Sequence, residues 1–195
     1  MHLLRDAFSE AGRGASVKRT PAQHAVRKVV GERAGGPVIL CLGNPDCGDD
    51  GAGRLLARSL RGRIPPCVRI EERPGAAVEL LERLHGLDAV FLVDAALTGA
   101  APGTIHVFDC VAEKIPAVKP GASSHGLGVA EALALARVLG TLPRVCRLYA
   151  IEGENFALGA ALSPAVRTAV EGLAARLARE LVHTVPLSAP SCGPQ

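Results

Sequence analysis

The feature that most restricts the fold of this chain is a set of short, continuously apolar segments. Val38–Leu42 and Ala89–Val93 contain no polar side chain, and Val145–Ile151 contains only one charged residue. Segments with helical periodicity, such as Gly51–Arg61 and Ser163–Val182, separate them. Strands that are apolar on both faces are typical of parallel sheets covered by helices on either side. The sequence therefore predicts an α/β fold, a single three-layer αβα sandwich with a mostly parallel, twisted sheet of about five strands.

The remaining predicted elements continue the alternation of strands and helices. Two further strands are predicted at Cys67–Glu72 and Thr104–Phe108, and two further helices at Ala76–Leu84 and Gly126–Leu139. In the last helix, a serine and a proline at 163–164 fit the N-cap and the first helical position.

Composition divides the chain into three parts. Residues 1–36 carry seven basic and three acidic side chains, whereas the remaining residues carry 15 and 16. We expect residues 1–36 to be a basic, flexible extension, residues 37–183 to form one domain, and residues 184–195 to be a flexible tail. Because the positive charge lies in the extension and only 3% of residues are aromatic, the folded body is not expected to bind nucleic acid.

Cysteine usage and hydropathy indicate the compartment. The six cysteines include no C-x-x-C pair, and Cys41, Cys67 and Cys146 lie in or beside apolar strand segments. We expect these three to be buried, reduced side chains. The extension has no apolar core of a secretory signal, and no apolar run reaches the roughly 18 residues of a membrane span. The sequence predicts a cytoplasmic protein without membrane contact.

The turn after the first strand carries two adjacent aspartates. The spacing of Gly43 and Gly48 resembles a phosphate-binding loop, in which Lys and Ser/Thr would follow. Asp49 and Asp50 stand there instead, and two carboxylates repel phosphate and attract a cation. We expect Asp49 to cap the following helix and Asp50 to be a metal ligand.

Two other strand or helix ends carry candidate ligands. Asp94 directly follows the apolar segment Ala89–Val93, and His125 directly precedes a predicted helix. A helix N-terminus disfavours the imidazolium form, so His125 is expected to be neutral, as metal binding requires. Functional groups collect at the carboxyl ends of strands in open α/β sheets. Asp50, Asp94 and His125 are therefore predicted to converge on a mixed site that suits nickel, iron, zinc or manganese better than calcium.

These residues resemble the hydrogenase maturation endopeptidase family over about residues 37–182. The family signature G-N-x-x-x-x-D-[DE]-x-x-G matches residues 43–53, an apolar strand ending in D-A matches residues 92–95, and S-x-H-x-[LG]-G matches residues 123–128. The pairs at 103–104 and 153–154 and the Leu-Ser-Pro at 162–164 are also similar.

The resemblance implies a twisted sheet flanked by helices and an endopeptidase activity. Such an enzyme removes a C-terminal peptide from the nickel-loaded precursor of a [NiFe]-hydrogenase large subunit, so that precursor is the expected partner. By match, Asp50, Asp94 and His125 would be both the metal-binding and the catalytic residues. The nickel would be supplied by the substrate, and zinc or cadmium could occupy the site in vitro. A cytoplasmic monomer is expected.

Three features depart from the family or leave the mechanism open. Cys41 stands where the family usually has a glycine, and Asp50 stands where some members have the longer glutamate. The basic extension is not part of the family core. Members are sometimes classed as aspartic peptidases, yet no Asp-Thr-Gly occurs in this sequence. Cys47 is the one side chain in the turn after the first strand that could act as a covalent nucleophile.

Two alternatives to this function stay open at the level of sequence. One is a non-catalytic metal-binding chaperone or carrier with the same fold and the same three residues. The other is a peptidase of the same fold with another protein target.

Overall fold

The computed structural model describes residues 36–113, 115 and 126–184. A short 3₁₀ helix at Gly48–Gly51 precedes the first α-helix. The strands are β1 (Val38–Leu42), β2 (Arg69–Arg73), β3 (Ala89–Ala96), β4 (Ile105–Asp109) and β5 (Val145–Glu152), and the helices are α1 (Ala52–Leu60), α2 (Ala77–Leu84), α3 (Gly126–Val138) and α4 (Pro164–Thr184). The alternating order confirms the predicted α/β class.

All five strands lie in one sheet with the order β2-β1-β3-β5-β4. Only β4 is antiparallel to its neighbour, β5. From β1 the chain moves to β2 on one side, and from β3 it moves to β4 and β5 on the other side. The boundary between β1 and β3 is therefore the topological switch point, where open α/β sheets form a crevice beyond the carboxyl ends of their strands.

Alternate side chains of the central strands enter two separate cores. In β1, Val38, Leu40 and Leu42 pack with α2 and α3, whereas Ile39 and Cys41 pack with α1 and α4. Successive side chains of a strand point to opposite faces, so a strand buried on both faces must be apolar throughout. This arrangement confirms the three-layer αβα sandwich.

The start of α1 packs directly against the end of β1. In α1 the side chains of Leu56 and Leu60 are fully buried, and Leu55 is partly buried against the same core. A Cβ atom on Gly53 would lie 2.2 Å from the carbonyl oxygen of Leu42. Only glycine permits this approach of the helix to the strand.

The observed bounds of β3 and β2 differ from the predicted ones. β3 continues three residues past Val93 to Ala96, because its pairing with β5 continues to Glu152. β2 begins at Arg69 and is the polar edge strand, in which Glu71 and Glu72 form ion pairs with arginines. Charged side chains on an edge strand discourage pairing with other chains.

The ends of the chain fall mostly outside the described residues. The predicted extension lies outside them except for residue 36, and so does the predicted tail except for residue 184. The closing helix runs to Thr184, one residue into the predicted tail. Along the described part of the chain, no helix combines the length and the apolar character needed to cross a membrane.

The five described cysteines are free thiols. Cys41 and Cys146 are buried as predicted, whereas Cys67 is half-buried. Burial, with a smaller contribution from the Glu72 carboxylate, raises the pKa of Cys41 to about 12 against the opposing charge of Arg61. Cys41 therefore acts as an apolar packing side chain beneath the loop that follows β1.

Replacing Gly53 by alanine tests the contact between α1 and β1. The added methyl group would collide with backbone, so Gly53→Ala is expected to lower the free energy of unfolding by about 3 kcal/mol or more. Gly172, in α4, has open space around the Cβ position, so Gly172→Ala should instead raise it by about 0.5–1 kcal/mol. Urea unfolding of both variants measures the difference. Equal stability of the two would contradict the close approach.

Candidate active site

The carboxylate of Asp50 is buried in the loop that follows β1. This site loop comprises residues 43–51. Asp50 is 1% exposed, and its Oδ2 accepts a 2.8 Å hydrogen bond from the Asn44 N–H. At Gly43, φ is +113°, and a Cβ atom would lie 2.0 Å from the Asp50 carbonyl oxygen. The glycine and asparagine of the sequence signature thus shape the backbone around the Asp50 carboxylate.

The carboxylate of Asp94 is buried near the end of β3. Its side chain is 4% exposed, and Oδ1 has no hydrogen-bond partner in the part of the chain that the structure describes. Val90 and Leu92 pack with α2 and α3, and Asp94 has the same parity along the strand, so it points to that face. Its partner on β5 is the small residue Ala150. A buried carboxylate oxygen without a hydrogen-bond partner is costly, which makes Asp94 a candidate for a functional group.

The two carboxylates lie close enough to influence each other. Burial raises the pKa of Asp94 to about 7, and the negative charge of Asp50 adds to the effect, while the Ala95 N–H opposes it. Both residues flank the switch point between β1 and β3. Two like charges in a buried site repel each other, and a cation would relieve that repulsion. The structure therefore brings together two of the three predicted site residues.

The third predicted residue, His125, lies outside the described residues. The next residue, Gly126, begins α3. A Cβ atom on Gly128 would lie 3.0 Å from the Gly75 carbonyl oxygen and 3.2 Å from the Ala77 nitrogen, so the first turn of α3 packs against the start of α2. Among the described residues no group of three His, Cys, Asp or Glu side chains could hold a metal ion.

The predicted capping role of Asp49 is wrong. No side chain caps the 3₁₀ helix or α1, because Asp49 lies inside the 3₁₀ turn and its carboxylate points to the loop after β5. That post-β5 loop comprises residues 153–163. Asp49 is fully buried and accepts hydrogen bonds from the N–H groups of Glu154 (2.9 Å), Asn155 (3.1 Å) and Ser163 (2.7 Å).

These hydrogen bonds keep Asp49 ionised. Burial alone would raise its pKa, but the N–H groups of Glu154, Ser163 and Asn155, together with the Ser163 side chain, hold the pKa below its ordinary value. Asp49 is therefore a structural carboxylate that joins the site loop to the post-β5 loop.

A fourth buried carboxylate, Glu152, was not predicted from the sequence. It is fully buried at the end of β5, and it accepts hydrogen bonds from the N–H groups of Thr98 (2.6 Å), Gly99 (2.7 Å) and Ala100 (3.2 Å) and from the Thr98 hydroxyl (2.8 Å). Nε2 of His106 lies 3.4 Å from Glu152 Oε2. Glu152 thus fixes the segment that follows β3. An acidic residue at the end of an apolar strand was the available signal, as it was for Asp94.

The fold and the carboxylate pair define an α/β protein with two buried aspartates at the switch point of its sheet. A family model described as hydrogenase maturation protease matches residues 74–180. The hydrogenase expression/formation protein HoxM of Azotobacter vinelandii is 31% identical over 152 residues, which cover 71% of this chain and 72% of HoxM. The hydrogenase 2 maturation protease of Escherichia coli K12 is 28% identical over 160 residues, covering 78% and 96% of the two chains.

A solved structure agrees with these relatives. The hydrogenase maturating endopeptidase HybD from E. coli superposes with a TM-score of 0.62 at 27% identity, over 75% of this chain and 92% of HybD. The chain belongs to the hydrogenase maturation protease family, and it is an endopeptidase, a hydrolase.

Replacing Asp49 by asparagine tests the junction between the two loops. The amide cannot accept all three hydrogen bonds, so Asp49→Asn is expected to lower the free energy of unfolding at pH 7 by about 1–3 kcal/mol. Because the folded-state pKa is lowered, this contribution is present above the unfolded pKa and is lost as the pH falls through the folded value. Urea titrations at pH 7 and in acid should show that the difference in free energy of unfolding between wild type and Asp49→Asn becomes smaller in acid. Asp46→Asn, an exposed site in the same loop, is the control and should be neutral.

Replacing Asp94 by asparagine is expected to stabilise the metal-free protein in alkaline solution. Its folded pKa is about 7 against an ordinary 3.8, so the folded state binds more protons between these values and wild-type stability falls as the pH rises. At pH 8, the free energy of unfolding of Asp94→Asn should exceed that of wild type by up to about 4 kcal/mol, since one pKa unit corresponds to about 1.36 kcal/mol. At pH 4 the gain should vanish. Unfolding measurements with a chelator present test this, and a gain that does not depend on pH would refute it.

Proposed function

We propose that this endopeptidase removes a C-terminal peptide from the nickel-loaded precursor of a [NiFe]-hydrogenase large subunit. The observation that carries the proposal is the buried pair of Asp50 and Asp94 at the switch point, in which an Asp94 oxygen has no partner among the described residues. Such a pair is poorly stabilised by itself and is improved by a divalent cation. The names of the relatives, which refer to hydrogenase formation and maturation, suggest a hydrogenase precursor as the protein substrate that would carry this cation.

We further propose that Asp50, Asp94 and His125 together bind the nickel of the precursor. Two carboxylates and an imidazole are an acceptable donor set for nickel, and also for zinc or cadmium in vitro. Asp94 points to the face of the sheet that α3 covers, and His125 directly precedes that helix. These two positions support His125 as the third ligand.

The chemistry expected of this site needs no covalent nucleophile. Nickel held by the precursor would act as a Lewis acid near the scissile amide. Asp50 and Asp94 would orient a water molecule and accept its proton, and the proton would pass to the leaving amine. In the metal-free protein the pKa of Asp94 is raised to about 7. A cation bound beside it would lower this pKa and leave Asp94 ionised, which is the form that can accept a proton from water. This mechanism would use aspartates as aspartic peptidases do, but the two carboxylates would bind a cation and would not share a proton.

The dependence on nickel would also make the reaction selective for the loaded precursor. Without the cation, repulsion between the carboxylates and the protonation of Asp94 oppose the active arrangement. With the cation, both carboxylates can ionise. We propose that cleavage follows metal insertion for this reason and that the enzyme works as a cytoplasmic monomer.

Removing the charge of Asp94 tests the proposed chemistry. Asp94→Asn preserves the shape of the side chain but removes its ability to accept a proton, so cleavage of nickel-loaded precursor should fall by at least about 100-fold. His125→Ala should also lose cleavage. The measurement is the appearance of a shortened precursor and of one discrete C-terminal peptide by mass spectrometry.

The half-buried thiol in the site loop provides the control. Cys47→Ser should keep the wild-type rate, because no covalent step is proposed. Full cleavage by Asp94→Asn would remove Asp94 from the mechanism, and loss of cleavage in Cys47→Ser would favour a thiol nucleophile. A wild-type protein that forms a stable complex with an intact precursor would indicate a carrier and not a peptidase.

A further inference from the structure

One segment of the post-β5 loop has no polar side chain although it lies at the surface. Residues 156–162 read Phe-Ala-Leu-Gly-Ala-Ala-Leu, and all are exposed or half-buried. Leu158, near the centre, is 81% exposed. A single exposed leucine is ordinary, but a surface run of this length without a polar side chain is typical of a contact surface.

Hydrogen bonds hold this apolar segment in place at both ends. The Gly159 N–H donates to the Asp46 carbonyl oxygen (2.6 Å), and the Asp49 N–H donates to the Asn155 carbonyl oxygen (2.8 Å). The Asp49 carboxylate accepts from the N–H groups of Asn155 and Ser163 on either side of the segment. Leu158 therefore lies on a hydrogen-bonded backbone. Binding of a partner to Leu158 would cost little conformational entropy in this loop.

The segment borders the loop that carries Asp50. A Cβ atom on Gly48 would lie 2.3 Å from the Asn155 carbonyl oxygen, and one on Gly51 would lie 3.8 Å from Leu162 Cδ1. The apolar segment is thus packed against the loop that carries the buried Asp50 carboxylate, at the carboxyl edge of the sheet.

We infer that residues 156–162 form a docking surface for an apolar part of the hydrogenase precursor next to the cleaved bond, with Leu158 as its main contact. This inference rests on the proposed function, because the occupant is the protein substrate. A peptidase has to hold the polypeptide beside its catalytic groups. Asp50 and Asp94 supply charge but no apolar contact, whereas the segment that is hydrogen-bonded to the Asp50 loop supplies exposed apolar side chains next to that loop.

The chain offers a matched control for Leu158. Val138 is 82% exposed, but it ends α3, and the chain then leads to the beginning of β5. Val138 therefore lies at the opposite edge of the sheet from Asp50 and Asp94. A serine at this position removes a similar exposed apolar side chain without changing the surface near Asp50.

The experiment compares full-length wild type with Leu158→Ser, Leu158→Met and Val138→Ser. The probe is purified nickel-loaded large-subunit precursor, and both its equilibrium binding and the dependence of the cleavage rate on its concentration are measured. Leu158→Ser should raise Kd and KM about tenfold, which corresponds to about 1.4 kcal/mol, with kcat unchanged. Leu158→Met and Val138→Ser should match wild type, and all melting temperatures should agree, because an exposed side chain contributes little to stability.

The outcomes separate this inference from the proposed function. If wild type cleaves the precursor and Leu158→Ser has the wild-type Kd and KM, the docking surface is refuted and the peptidase stands. If wild type binds without cleaving and Leu158→Ser weakens binding, the docking surface is supported and the cleavage reaction fails. If wild type neither binds nor cleaves, both fail. If Leu158→Ser alters self-association in sedimentation and leaves precursor affinity unchanged, the surface belongs to a second copy of the chain and the inference is wrong.

Discussion

The arrangement of the site depends on the buried carboxylate of Asp49. It accepts hydrogen bonds from three main-chain N–H groups of a loop that lies more than 100 positions further along the chain. Because the site loop ends just after Asp50, the position of the Asp50 carboxylate follows from the way Asp49 fixes that loop. The same hydrogen bonds orient the apolar segment, residues 156–162, beside the site loop. One ionised side chain thus fixes both the loop that carries Asp50 and the apolar segment next to it.

The buried carboxylates of the described residues fall into two kinds, and the difference makes Asp50 and Asp94 the candidate site. Asp49 and Glu152 are surrounded by N–H donors, so their burial is compensated and their roles are structural. Asp94 is buried beside the Asp50 carboxylate with one oxygen that has no partner in the described chain. A protein selected for stability alone would not retain such a residue. The family's activity in hydrogenase maturation supplies a reason for keeping it.

Sequence reasoning predicted the fold and the placement of Asp50 and Asp94 near each other, but it gave Asp49 the wrong role and missed Glu152. Continuous apolar character revealed β1 and β3 because both strands are buried on two faces, and their carboxyl ends led to Asp50 and Asp94. The role of Asp49 was mistaken because local sequence suggests a cap, whereas its partners are supplied by tertiary contacts with residues 154–163. Glu152 was passed over because the strand was ended one residue early, at Ile151. The placement of His125 stays a prediction, since that residue lies outside the described part of the chain.

The long reach of the Asp49 hydrogen bonds has a consequence for how the protein is made. During synthesis, β1 and the aspartates of its loop emerge long before residues 154–163, which must satisfy one of those carboxylates. Until β5 and the start of α4 have been translated and folded back, Asp49 has no N–H donors from that loop and cannot be buried at low free-energy cost. The nascent chain therefore cannot fix the loop that carries Asp50 until residues 154–163 have been translated and have folded back onto it.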